Sequence, residues 1–315
     1  MQIFCDSLFY KPRALLRGHK EKAIVKISFC TTCKGRLHHL KRTLPQNLRD
    51  NPQAEFVVLD YSSEDGLKEW ILSDPVTVEA MRDGRLIYAR HPDAPHFRMA
   101  HAKNMAHRLA TGDIVCNLDA DNFTGRDFDR YLASRMGDKP QETIVYPHYG
   151  FLKNLPIERA GFCGRIAMSR DNFLEIGGYD EQFSHWGGDD HNIIARSLAH
   201  GLRPRPIEEA RHLAIIAHDH AEREKNLEHR ETVDIAKASK VTFATLKGHF
   251  QDAVGRVQAN GGQFGQGKVL VGEEAKEIVL GPIVAAPSFR PTCLGTPLLL
   301  KTWLFARPRT APPVI

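Results

Sequence analysis

Four short apolar runs, each stopping at polar residues and each parted from the next by helical periodicity, constrain this chain more than any other feature. They are Ile24 to Phe29 ("IVKISF"), "EFVVLD" ending at Asp60, "RLIYAR", and "DIVCNLD", which runs into "DADN". Between the first two, Leu37, Leu40, Leu44 and Leu48 recur at helical spacing. "SSEDGLKEWIL" begins a second helix with Ser and Asp as caps, and "FRMAHAKNMAHRLATGD" a third with Met99, Ala102, Ala106 and Leu109 on one face. Strand and helix in alternation specify an α/β class with a mostly parallel central sheet flanked by helices. In open sheets of this kind ligands lie beyond the carboxyl ends of the strands. Thr31 and Thr32, Asp60, and Asp119 to Asp121 occupy three such ends, so one site is expected there.

The second half continues with a strand in "GFCGRIAMS", a short helix in "RDNFLEIGG", a loop "HWGGDDHN", a helix from Asp189 to His200, and a strand-like "RHLAIIAH". Charged helical sequence fills 222 to about 250. Past residue 255 periodicity fades, so the reading divides the chain into a domain over 1–250 and an appendage over 251–315. That domain divides into a first half over about 24–125, which holds the four apolar runs, and a second over about 126–230. Within the appendage "LLLKTWLFARPR" is apolar and basic. Packing on the body is the preferred reading, with peripheral membrane contact as the other.

Net charge of +5 is spread along the chain, which fits an anionic small ligand or membrane surface and not a nucleic-acid stripe. Six cysteines make no disulfide framework. No apolar run spans a bilayer. A cytoplasmic protein is expected, with the inner face of the membrane as a candidate docking place. Cys30 and Cys33 are spaced for zinc but have no second pair.

The chemistry concentrates in a few places. Asp119 and Asp121, two apart at a strand end, repel unless a divalent cation lies between them, and such a cation also bridges to phosphate. "IIAHDHAEREKN" offers His218 or His220 as a third ligand; an imidazole beside two acids tilts the ion to Mn2+, with Mg2+ the alternative. Arg36 follows the first strand and Arg98 opens a helix, so guanidinium and helix amino end together fit a diphosphate. Neither GxxxxGK[ST] nor a GxGxxG after a strand occurs. A nucleoside diphosphate joined to a sugar is the natural ligand, because its leaving diphosphate needs charge neutralised.

The segment "GFCGRIAMSRDNFLEIGGYDEQFSHWGGDDHNIIARSLAHG" resembles the donor and acceptor segment of the galactosyltransferase-type (family 7) glycosyltransferases, with their "WGGEDD" pattern. "ATGDIVCNLDADNF" is similar to the Asp-x-Asp strand shared by families 2 and 7. "RLHHL", "FRMAHAKN" and "IIAHDH" resemble the first nucleotide loop, the helix carrying a diphosphate-binding arginine, and the strand ending in the metal-binding histidine. The likeness runs from about 24 to 230 and implies a GT-A fold. It implies that Asp119 and Asp121 hold nucleotide and metal, that His218 completes the metal shell, and that Asn104 belongs with the diphosphate helix. Asp190 is then the general base, Asp189 a donor or acceptor ligand, and Trp186 a sugar-stacking ring with Gly187 and Gly188 giving room. Thr31, Thr32, Arg36, Asp60 and Arg98 complete the nucleotide-sugar site. Departures are Asp189 where the family has Glu, His191 and Asn192 where further acids are frequent, and Arg98 one residue off its spacing to Asn104.

The expected protein is thus an inverting glycosyltransferase using Mn2+ or Mg2+, a UDP-sugar donor and a hydroxyl of a glycan or glycolipid acceptor, since a base opposite the leaving diphosphate implies single displacement. Two competitors are a nucleotide-sugar or glycan-binding module without turnover, and a metal-dependent hydrolase releasing free sugar without an acceptor.

Overall fold

The computed structural model describes residues 25–148, 151, 160–183, 187–219, 222, 225, 248, 252–253 and 255–283. Among these residues nine strands form one sheet: β1 Ile27–Cys33, β2 Glu55–Tyr61, β3 Leu86–His91, β4 Ile114–Asn117, β5 Thr143–Pro147, β6 Ala167–Ser169, β7 Arg203–Ile207, β8 Gly267–Val271 and β9 Lys276–Leu280. Their order is β7-β5-β6-β4-β1-β2-β3-β8-β9. The centre, β4-β1-β2-β3, is wholly parallel, as its helical crossovers require, and the antiparallel pairings lie toward the two sides. This is the α/β architecture expected.

Among the described residues the sheet is flanked by helices α1 Leu37–Asp50, α2 Leu67–Ile71, α3 Pro75–Arg82, α4 Met99–Leu109, α5 Phe128–Met136, α6 Arg170–Glu175 and α7 Asp189–His200. Two apolar clusters cover opposite faces of the sheet. One packs α4 and α7 against Val57, Leu59 and Val115; the other packs α1 and α5 against Phe29, Phe56 and Val58. Alternating side chains of β2 therefore feed both, which is why "FVVL" reads as a continuous apolar run.

Several local expectations are corrected. β1 begins three residues later than expected and runs through Thr31 and Thr32, which lie inside the strand. Asp65 does not cap α2, whose N-cap is a left-handed Gly66; its carboxylate instead accepts from Leu37 N at 2.7 Å and caps α1. α4 is buried all round rather than on one face, because it is wedged between the sheet and the segment that carries Phe264. β4 stops at Asn117, so Asp119 and Asp121 stand on the turn beyond it, where Asn122 N donates to Asp119 O at 2.9 Å. "RHLAIIAH" is a short 3-10 turn at Ala210–His212 followed by a single bridge from Ile215 to Asn122. The strands β5 and β7 went unread; Pro204 and Pro206 mask the latter, and prolines suit its position at the sheet edge.

Part of the expected appendage is structural. β8 pairs with β3, Phe264 and Val269 are buried, and Arg108 of α4 donates to the carbonyls of Phe264, Gly265 and Gly281. Close approach rather than apolar periodicity makes this attachment: a side chain at Gly177 would meet the Ala259 carbonyl oxygen at 2.2 Å, and one at Gly178 the Phe264 ring at 2.9 Å. The charged helix expected over 222–250 and the "LLLKTWLFARPR" segment fall outside the described residues, apart from positions 222, 225 and 248. No helix among the described residues is long and apolar enough to cross a membrane.

Candidate active site

Chain direction brings the site together at the carboxyl end of β4. The backbone of 121–123 runs antiparallel to 214–216, with Phe123 N donating to Ala214 O and Ile216 N to Asp121 O. That pairing carries His218 to Asp121, and its Nε2 lies 2.6 Å from Asp121 Oδ2. Arg36, just before α1, closes from the other side with Nη1 3.3 Å from the same imidazole nitrogen. Burial pushes the Asp121 carboxyl up, but the His218 contact, Arg36 and His39 together overcome it and hold the group below its ordinary value. A carboxylate and an imidazole side by side, both nearly shielded from solvent, make a donor pair that manganese or magnesium can use.

Asp119 stands on the same turn, two residues before Asp121. Its Oδ1 accepts from Asn117 Nδ2 at 3.0 Å. Its Oδ2 would lie 2.9 Å from a methyl placed on Gly164, and Asp190 Oδ2 would lie 3.2 Å from that same point. The two carboxylates thus converge over a residue that has no side chain. Burial lifts the Asp119 carboxyl above its ordinary value, against the pull of Lys103 and with the push of Asp121.

Asp189 and Asp190 form the first turn of α7, entered through Gly187 and Gly188 at φ of 92° and 88°. Such left-handed backbone favours glycine, and it turns the chain so that both acids meet the helix amino end, where negative charge is stabilised. Lys103, buried in α4, bridges them: Nζ is 2.7 Å from Asp189 Oδ2 and 2.8 Å from Asp190 Oδ1. Burial would strip its proton, but the two acids, with Tyr179 and Asp119 beyond, hold it protonated well above the ordinary lysine value. The Asp190 side chain keeps 20% of its surface exposed against 5% for Asp189. Burial and the Asp189 charge lift the Asp190 carboxyl to about 7, with Lys103 opposing them.

The other expected residues are placed as follows. Thr31 is buried and Thr32 half-buried inside β1. Asp60, fully buried at the end of β2, accepts from Ser63 N at 2.7 Å, Tyr88 Oη at 3.0 Å and Arg90 Nη1 at 2.5 Å. Arg98 is not brought to the acids: it lines a separate cavity of ≈ 380 Å³ with Tyr61, His91, His96 and His101. Asn104 is also turned inward, its amide spent on Tyr179 N, Tyr179 O and Glu181 Oε1, so it braces the turn after α6. Trp186 and His220 lie outside the described residues.

Sequence reasoning missed five contributors. Lys103 is a lysine amid alanines and methionines in "AHAKNMAHRLA", a pattern that signals a buried cation needing acids. Gly164 carried no signal of its own. His38, His39 and Glu222 bring three donor atoms within 4.8 Å of one another, a second set able to hold a cation. His39 is kept neutral by burial, at about 4, and its Nδ1 has no partner.

Residues 28–177 match the family model described as glycosyl transferase family 2, and residues 152–230 match that described as the N-terminal domain of galactosyltransferase. No curated protein matches the chain. Among solved structures it is similar to TarS 1-349 of S. aureus, at 15% identity and a TM-score of 0.44, covering 58% of each chain. It is similar to the mannosyltransferase PcManGT from Pyrobaculum calidifontis in complex with GDP-Man and Mn2+, at 21% identity and a TM-score of 0.47, covering 75% of this chain and 74% of that one. It is similar to GalNAc-T7 with UDP, GalNAc and Mn2+, at 16% identity and a TM-score of 0.47, covering 59% of this chain and 43% of that one. The chain therefore spans less than two thirds of the TarS and GalNAc-T7 chains.

Proposed function

We propose that this chain, a GT-A glycosyltransferase of the family 2 and galactosyltransferase (family 7) type, transfers a sugar from a UDP-sugar to a hydroxyl of a glycan or glycolipid, with inversion at the anomeric carbon. The observation that carries this reading is the convergence of Asp119 and Asp190 over Gly164, where a methyl group would touch both carboxylates. Only a glycine fits there, so the nucleotide-side acid and the half-buried acid of α7 stand close together, and a sugar lying beside them would reach both.

Asp119, Asp121 and His218 would hold a manganese or magnesium ion, and the Asp121–His218 pair supports this because its donor set suits either metal. When bound, the ion supplies the positive charge that a departing diphosphate needs. Arg36, adjacent to that pair, adds a guanidinium toward the same phosphates. Asp190 Oδ2 takes the proton of the acceptor hydroxyl as its oxygen bonds to the anomeric carbon. The bond from that carbon to the diphosphate breaks on the opposite face, UDP leaves, and the configuration inverts. Asp189, buried against Lys103, would orient the donor or acceptor rather than accept the proton. Gly187 and Gly188 keep the entrance clear of side chains.

Asp190→Asn tests the reading. We expect unchanged UDP and manganese affinity by calorimetry and transfer reduced by roughly 10²–10⁴-fold, the usual contribution of a positioned acid or base. Transfer at the wild-type rate would remove Asp190 from the base role, and sugar release independent of any acceptor would make the protein a hydrolase.

A further inference from the structure

We infer that Lys103 is a positioning residue that aims the carboxylate of Asp190 at the acceptor, by fastening Oδ1 inward and leaving Oδ2 to the substrate. The inference rests on the functional reading above and adds a residue that the sequence motifs do not mark.

The contacts distinguish this from simple charge neutralisation. A lysine buried for stability needs one buried acid, and Asp189 already supplies it at 2.7 Å, with the Tyr179 ring 4.8 Å away on another side. Lys103 makes a second contact of 2.8 Å to an acid that still reaches solvent, and it takes a single oxygen of it. The other oxygen, Oδ2, lies toward the Gly164 and Asp119 side. Among the described residues no other hydrogen bond holds the Asp190 side chain. The helix amino end stabilises its charge but does not select a rotamer, and the two glycines before α7 leave the entry backbone without side-chain bracing. Lys103 comes from α4, which the sheet packs on one side and the turn after α6 on another, so the brace is anchored in the core rather than in a loop.

An aimed base and a merely folded protein differ in partition. Misdirecting Asp190 slows attack by an acceptor hydroxyl held in one geometry, while attack by mobile water, which needs no such aim, changes little. The ratio of transfer to donor hydrolysis is also independent of how much of a preparation is folded. The experiment measures that ratio with UDP-sugar, manganese and saturating acceptor in wild type, Lys103→Met and Lys103→Arg. We expect the ratio to fall at least about 10-fold in Lys103→Met and to recover most of the way in Lys103→Arg, with UDP affinity unchanged. Should the methionine variant fail to fold, Lys103→Gln, which keeps a donor without the charge, carries the same comparison. Transfer and hydrolysis declining in parallel, at the wild-type ratio, would overturn the inference while leaving the transferase reading intact. A wild-type protein that transfers no sugar would instead overturn the reading itself.

Discussion

At the scale of single residues, the site turns on how neighbours divide two similar carboxylates. Asp189 and Asp190 are adjacent on one helical turn and share one lysine, yet one is buried and paired while the other reaches solvent with a free oxygen. That division was only half legible: the paired acids after two glycines announced a site, but which acid faced outward depended on Lys103, a residue 86 positions from its partner. The acid lifted to about 7 has a consequence for rate. A general base acts in its ionised form, so kcat/KM should fall about tenfold per pH unit below the carboxyl's midpoint, which lies at or below about 7 once a cation offsets the Asp119 charge. Removing the neighbouring negative charge in Asp189→Asn lowers the energy of ionising Asp190. The acid limb should therefore move to lower pH, and a limb that stays fixed or moves up would contradict the assignment of that charge.

At the scale of elements, the parallel core was read correctly because its strands are buried on both faces and its helices repeat leucine or alanine at helical spacing. α7 matched its expected bounds because Gly201 ends it at a φ of 111°, a stop that only glycine makes cheaply. Where the reading failed, the elements are held by something other than apolar periodicity. β7 carries two prolines at an edge, the Asp119–Asp121 turn is set by pairing with 214–216, and β8 and β9 alternate weakly because β9 is largely exposed. The last pair has a testable role. A chain ending at residue 250 would lose the burial of Phe264 and Val269, worth about 1.5–3 kcal/mol each, and leave the edge of β3 unpaired. Urea unfolding should show it less stable by about 3–6 kcal/mol. A midpoint equal to that of the full chain would mean that 251–315 is an appendage after all.

At the scale of the whole molecule, the two halves of the chain contribute different chemistry to one place. The parallel half ends its strands at Asp60 and at the turn bearing Asp119 and Asp121, while the second half folds back twice, through His218 and through the amino end of α7. The motifs carrying Arg36, Asp121 and His218 do meet, while Asp60 is hydrogen-bonded to Ser63, Tyr88 and Arg90 instead. The order of motifs along the chain was not enough to predict the exclusions. Arg98 and Asn104 lie on the right helix, but one opens on another cavity and the other is spent on a turn. The central claim is a donor site assembled by Asp121 and His218 around a cation, and calorimetric titration of UDP in manganese and then in chelator tests it most directly. The account predicts binding in manganese that chelator abolishes and that Asp121→Ala weakens by at least about 10-fold, the loss of one metal ligand. UDP affinity that is the same with manganese, with chelator and in Asp121→Ala would contradict it.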